Sequence, residues 1–264
     1  MTQPSRVTAP ISEVALSTPL FELAAIDAVD WLRGQPAESV DLLITDPAYE
    51  SLEKHRAVGT TTRLKHSKSS SNDWFRVFPN ARFGELFDEV FRVLRRDTHF
   101  YLFCDAETMF VAKPEGERAG FRFWKPLVWD KRSIGMGYHY RARYELILFF
   151  EKGKRRLNNL GIPDIISEPR IHRGYPAEKP ARVSEILISQ SSQPGEVVAD
   201  PFMGSGSVGV AAARLGRRFL GTDLNPEAVR VSAEKLRQFG AGVEPPEVAS
   251  ARQPGLLESI GSRA

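Results

Sequence analysis

One cysteine, Cys104, is all that a chain of 264 residues contains. A single thiol excludes an internal disulfide framework and a cysteine-based zinc cluster. Its place in the apolar run "FYLFC" marks it as a buried, inert side chain rather than a nucleophile. No uninterrupted apolar stretch is long enough to cross a bilayer, and the first twenty residues lack a charged-then-apolar secretory pattern. These absences predict a cytoplasmic protein with no membrane partner. Charge of one sign is also scarce, because 36 Lys and Arg stand against 33 Asp and Glu, a formal net charge of +3. That balance permits a nucleic-acid partner without requiring one, so the position of the basic residues matters more than their number. Internal repeats are absent too.

What is present suits a globular protein: 42% hydrophobic and 26% charged residues, in a chain long enough for one α/β domain with a substantial core. Strands are predicted at 40–45 (VDLLIT), 99–104 (HFYLFC), 145–150 (ELILFF), 196–199 (EVVA) and 218–222 (RFLGT). Several are apolar throughout, the pattern of strands covered on both faces in a mostly parallel sheet. Between the first two, Phe83, Leu86, Phe87, Val90 and Leu94 recur at helical spacing. A further helix is framed by Asn225 as N-cap, Pro226 in its first turn and Gly240 as its stop. Strands alternating with helices predict a single α/β domain with a doubly wound sheet, which binds ligands at the carboxyl ends of its strands. Residues 1–19 carry scattered Pro, Ser and Thr and are expected to be a loosely ordered lead-in, with the domain over 20–240. Residues 241–264 lack periodicity and are expected to form a mobile tail.

Two segments fall at such strand ends. "VDLLITDPAY" (40–49) is by itself a strand running into a turn, since Asp and Pro favour turns through their own local chemistry. "EVVADPFMGSGSVG" (196–209) continues through a second strand to Asp223. Gly204 and Gly206 let the backbone turn tightly and approach a ligand, and a helix starting near Ser207 aims free N–H groups at it. Asp223 lies roughly twenty residues on, where an acid can hold ribose hydroxyls. The pattern indicates an adenosine-containing cofactor without choosing one, against the plainer reading of a glycine turn between a buried strand and helix. A phosphate-binding loop would need Gly-Lys-Ser/Thr, which is missing. Gly204, Gly206 and Gly209 spell the dinucleotide spacing, but Asp200 just before them would repel a pyrophosphate. Asp200 could instead pair with a cationic ligand such as the amino group of S-adenosylmethionine.

Taken together, "TDPAY" and "DPFMGSGS" resemble the S-adenosylmethionine-dependent amino-methyltransferases of DNA, with the catalytic motif ahead of the cofactor motif as in the β arrangement. The likeness runs from about Asp27 to Phe239. It includes the lead-in "AIDAVDWLRGQPAESVDLLITDPAY", the segment "GMGYHYRARYELILFFEKG" beside the active site, and "YPAEKPARVSEILISQ", where Lys179 and Pro180 match and Tyr175 replaces the usual His. The resemblance implies S-adenosyl-L-methionine as cofactor, held by Asp27, Lys179, Asp200, Pro201, Phe202, Gly204, Ser205, Gly206, Asp223 and Asn225. Asp46, Pro47, Ala48 and Tyr49 are then the catalytic motif. Asp46 and the Pro47 carbonyl would accept the hydrogens of an exocyclic base amine, and Tyr49 would stack a base flipped out of the duplex. Asp first and Tyr last lean towards adenine N6. Cytosine N4, or a non-catalytic DNA-binding relative, is the alternative. Cytosine C5 chemistry lacks its Pro-Cys pair. Ala48 stands where a second proline is usual, so a looser loop is expected.

Double-stranded DNA is the implied partner. A homodimer and a restriction endonuclease as functional partner are compatible with the resemblance. Two basic segments are candidate DNA contacts: Lys54, Arg56, Arg63, Lys65 and Lys68 after the catalytic motif, and Lys154, Arg155, Arg156, Arg170 and Arg173 in a small recognition insertion at 151–175. The insertion would separate a catalytic half, 20–150, from a cofactor half, 176–240.

Overall fold

A computed structural model of the chain describes residues 13–51, 76–135, 140–171 and 178–240. Among the described residues nine strands run in chain order: β1 Glu13–Ser17, β2 Phe21–Ala25, β3 Val40–Thr45, β4 Leu94–Cys104, β5 Arg122–Asp130, β6 Tyr144–Lys152, β7 Ile165–Ser167, β8 Val197–Asp200 and β9 Arg218–Asp223. The helices are α1 Ala28–Gly34, α2 Phe83–Val93, α3 Ala106–Ala119, α4 Ala181–Ser191, α5 Ser207–Arg214 and α6 Pro226–Gly240. None of these helices is long and apolar enough to cross a membrane.

All nine strands join one sheet in the order β1-β2-β9-β8-β3-β4-β6-β5-β7. Neighbours from β2 to β4 are parallel, as are β5 and β7. β6 runs antiparallel to both β4 and β5, and β1 antiparallel to β2. This is the mostly parallel, doubly wound α/β sheet expected. The apolar runs explain it, because every residue of β3 and of β8 is buried. Successive side chains enter opposite cores: Phe100, Leu102 and Leu148 meet α1–α3, while Tyr101, Phe103 and Ile147 meet α4–α6. The first core is rich in phenylalanine, with Phe87 making edge contacts to Phe100, Phe121 and Phe150.

Two expectations need correction. Leu94 leaves the helix and opens β4, taking an extended conformation (ψ 136°) while staying fully buried. Lys152 donates to the carbonyls of Phe91 and Leu94 (2.7 and 2.5 Å), which closes the helix end with a cation. Residues 13–17 of the expected lead-in form β1, because an edge strand needs only the partner β2 supplies. The tail at 241–264 lies outside the described residues.

Candidate active site

β8 ends at Asp200, and the chain turns through Pro201, Phe202, Met203, Gly204, Ser205 and Gly206 into α5. Gly204 (φ +50°) and Gly206 (φ +79°) are left-handed, a conformation that only glycine adopts at little cost. A Cβ at Gly206 would stand 2.8 Å from the Ser232 hydroxyl oxygen, so this turn can pack on α6 only as glycine. At Gly204 a Cβ would meet nothing within 4 Å, leaving that face of the turn open. The turn is tied down by the Gly204 N–H donating to Asp223 (3.0 Å) and by Ser232 donating to the Gly204 carbonyl (2.7 Å). Asp223 also accepts from the Asn225 N–H (2.8 Å), and Asn225 caps α6 through the Glu227 N–H (2.9 Å). Pro201 and Ser205 are buried in the turn.

Asp200 is 3% exposed. Its Oδ1 accepts from the Thr45 hydroxyl (2.7 Å) and the Phe202 N–H (3.0 Å), and no basic side chain pairs with it among the described residues. Burial pushes its carboxyl up to about 7, against the pull of those two hydrogen bonds, with Asp46 and Asp223 adding to the rise. Thr45 ends β3, so its bond to Asp200 joins the two motif-bearing strands, which are hydrogen-bonded neighbours.

Asp46 follows Thr45 directly. Its Oδ1 accepts from the Tyr49 hydroxyl (2.6 Å) and its Oδ2 from Lys179 (2.8 Å). Lys179 also donates to Glu145 (2.6 Å), which in turn pairs with Lys131 (2.5 Å). The ammonium of Lys179 lies over the rings of Phe103 and Trp129, and Lys131 lies over Trp129 as well. Burial raises Asp46 above the usual carboxylate range; the Lys179 charge pulls against that, and Glu145 adds to it. Burial also works against charge on Lys179, but the two carboxylates overcome it and raise its pKa. For Glu145 burial is outweighed by Lys179 and Lys131, which hold it down to about 2. Lys179 is therefore on the Asp46 side of the site. Its partner Glu145 was missed in the sequence, where it opens "ELILFF" as the first residue of a predicted strand.

Two further motif positions differ from their expected settings. Tyr49 is only 8% exposed, with its ring in the phenylalanine-rich core and its hydroxyl turned onto Asp46, as a buried phenol requires. The ring that was expected to stack a base is covered. The Ala48 carbonyl accepts the Phe78 N–H (2.8 Å), so a backbone tie restrains the loop where a second proline is missing. Asp27 caps α1 and accepts both guanidinium nitrogens of Arg82 (2.8 Å each), which hold its carboxyl below the usual range. Arg82 lies over Phe78, whose ring meets Phe202 of the glycine turn edge-on (5.1 Å). Asp27 thus reaches the turn through this stack.

The basic residues separate. Lys54, Arg56, Arg63, Lys65, Lys68 and Arg173 lie outside the described residues. β6 runs away from Asp46: its first residues pair with the end of β4 and Lys152 pairs with Thr98. Lys154, Arg155 and Arg156 therefore emerge at the amino end of the parallel strands, roughly 20 Å from Glu145 at about 3.3 Å per residue. Arg155 is paired there with Glu196 (3.2 Å). Their expected role on DNA beside the site does not fit this placement. Arg170, exposed and following β7, returns to the carboxyl end.

Fold and site define a methyltransferase of the S-adenosylmethionine-dependent type. The family description "DNA methylase" matches residues 40–234, and the chain belongs to that N6/N4 family of DNA methyltransferases. The DNA adenine methyltransferase YhdJ of Escherichia coli K12 is 27% identical over 249 residues, covering 80% of each chain. The cytosine-N4-specific PvuII DNA methyltransferase shares the fold with a TM-score of 0.66 at 17% identity, over 85% of this chain and 89% of that one. So does TTHA0409 of Thermus thermophilus in complex with S-adenosyl-L-methionine, at TM-score 0.61 and 23% identity, over 82% of this chain and 93% of that one.

Proposed function

We propose that this DNA methyltransferase moves a methyl group from S-adenosyl-L-methionine to the N6 amino group of an adenine flipped out of double-stranded DNA. The observation that carries the reading is the paired placement of Asp46 and Asp200 at the ends of adjacent parallel strands, joined through Thr45. Asp at the first position and Tyr at the fourth favour adenine, and the similarity to YhdJ supports the same choice.

The cofactor fits the residues present. Asp200 is a buried carboxylate with no cationic partner among the described residues, and the Gly204 face of the turn is open. S-adenosyl-L-methionine supplies the electrophilic methyl group and a cationic amino end that complements Asp200. Asp223 uses one hydrogen bond per oxygen on the turn and keeps acceptor capacity for ribose hydroxyls. A base amine is a poor nucleophile because its lone pair is delocalised into the ring. Asp46 and the Pro47 carbonyl accept its hydrogens and favour a pyramidal nitrogen. Tyr49 occupies Asp46 Oδ1 until a base arrives, so displacing its hydroxyl frees that oxygen and uncovers the ring for stacking in one movement. Lys179 stays on Oδ2, where its charge favours the ionised carboxylate against burial. Alignment of amine and methyl then carries much of the acceleration.

Mass analysis of nucleosides from DNA treated with the purified enzyme tests the target atom. N6-methyladenine is expected, and N4-methylcytosine alone would defeat the adenine assignment. The carboxyl of Asp200 gives a second expectation. A cation binds its ionised form, so affinity for S-adenosyl-L-methionine should fall as pH drops through about 7. Calorimetric titration of wild type and Asp200→Asn should show weaker binding and a flattened pH dependence in the variant. An unchanged pH dependence in Asp200→Asn would remove Asp200 from the cofactor's cationic contact.

A further inference from the structure

β5 is parallel to β4, so its last residue, Asp130, lies at the same end of the sheet as Asp46. The hairpin to β6 continues past the sheet there. The Lys131 N–H donates to the Arg143 carbonyl (2.9 Å) and the Gly135 N–H to the Ala142 carbonyl (2.8 Å), so the two arms stay paired beyond the last sheet residues. Of the four basic side chains in these arms, two are neutralised. Arg143 grips Asp130 (2.6 and 2.8 Å), and Lys131 pairs with Glu145. Arg132 and Arg141 are exposed and have no carboxylate partner among the described residues. They donate instead to neutral oxygens, Arg132 to the Ser167 hydroxyl (3.0 Å) and Arg141 to the Gly135 carbonyl (2.8 Å).

The backbone at Arg132 shows that this projection is built rather than slack. Arg132 holds a left-handed backbone (φ +56°), which costs a non-glycine residue about 1 kcal/mol or more. It is maintained by the Arg132 N–H on Asp130 (3.0 Å) together with the Ser167 contact. Tyr140 is fully exposed at 107%, and Ile134 is 52% exposed. An aromatic ring beside uncompensated guanidinium groups suits a polyanion with stacked bases, and here it stands at the end of the sheet where the base must enter.

We propose that residues 131–135 and 140–143 form a duplex-DNA finger. Arg132 and Arg141 contact backbone phosphates, and Tyr140 stacks on the base pair left exposed when the target base leaves the helix. The inference rests on double-stranded DNA being the substrate, but not on which base is methylated.

The test uses the full-length enzyme with S-adenosyl-L-methionine and duplexes carrying 2-aminopurine at the target or beside it. Arg132→Ala with Arg141→Ala should raise Kd for duplex DNA at least about tenfold. It should also reduce the slope of log K against log salt by about 2, the signature of two lost phosphate contacts. Tyr140→Ala should lower the 2-aminopurine fluorescence increase severalfold with little change in that slope, and Tyr140→Phe should restore it. Cofactor affinity should hold in all variants, which reports an intact fold. Unchanged Kd and slope in the double arginine variant would overturn the finger. So would loss of self-association in Tyr140→Ala at unchanged DNA affinity, since Tyr140 would then be a contact between copies. A wild type with no affinity for duplex DNA overturns it as well. Methylation of cytosine by a wild type that needs both arginines would instead defeat the adenine reading and leave the finger standing.

Discussion

Asp46→Ala is expected to abolish methyl transfer, by about 10³-fold or more, while affinity for S-adenosyl-L-methionine changes only a few-fold. The size follows from the proposed mechanism, in which the variant loses a charged acceptor aimed at the atom where positive character develops. Affinity survives because the turn proposed to hold the cofactor is tied down by Asp223, Ser232 and Thr222, none of which touches Asp46. Asp46→Asn is the sharper variant. Its amide nitrogen would face either the Tyr49 hydroxyl or the Lys179 ammonium, both donors in the native pairing. Loss of at least about 10²-fold is expected there too. Incorporation of labelled methyl groups into DNA measures both, and a residual rate within about tenfold of wild type in either variant would remove Asp46 from the chemistry.

Lys179→Gln and Glu145→Gln should move the acid limb of the pH–rate profile in opposite directions. In the proposed mechanism Asp46 works as the ionised carboxylate, so activity is lost as pH falls through its pKa. Lys179 lowers that pKa and Glu145 raises it. Removing the lysine leaves two carboxylates close together in a poorly solvated site, which carries the limb to higher pH. Once the limb passes neutrality, activity at pH 7 should fall about tenfold for every further pH unit it moves, with recovery in alkaline buffer. Removing Glu145 leaves Lys179 committed to Asp46 and carries the limb to lower pH. Rate profiles of the two variants and wild type decide the matter. A purely structural role for the pair predicts lower rates with the limb unmoved.

These expectations rest on side chains that the sequence exposed to very different degrees. Asp46 and Asp200 were legible because each sits in a run whose order of types is chemically unusual: apolar strand, acid, proline, then aromatic ring. β3 and β8 were legible for the same reason, being apolar almost throughout. β5 was not. Its "RFWKPLVWD" mixes Lys, Pro and Arg with aromatics, because it is shared between β6 on one side and the three-residue β7 on the other. Glu145 was hidden in another way. It opens an apolar strand, and nothing near it in sequence says that Lys179, 34 residues on, will reach it.

The basic segments show the limit most clearly. Lys154, Arg155, Arg156 and Arg170 lie close together in sequence, and charge alone marks them as one cluster. The reversal of β6 puts the first three at the far end of the sheet and leaves Arg170 at the near end. Conversely, nothing in the sequence separates Arg132 and Arg141 from Lys131 and Arg143, which Glu145 and Asp130 neutralise.

The sequence by itself determined the most apolar strands, the two motif-bearing strand ends and the class of chemistry, because local patterns of burial and turn geometry act over a few residues. Only the tertiary structure decided which carboxylate is held by which cation, which tyrosine is covered, and which arginines lack a carboxylate partner among the described residues. Those outcomes depend on strand order and direction, which bring together residues that the chain keeps tens of positions apart.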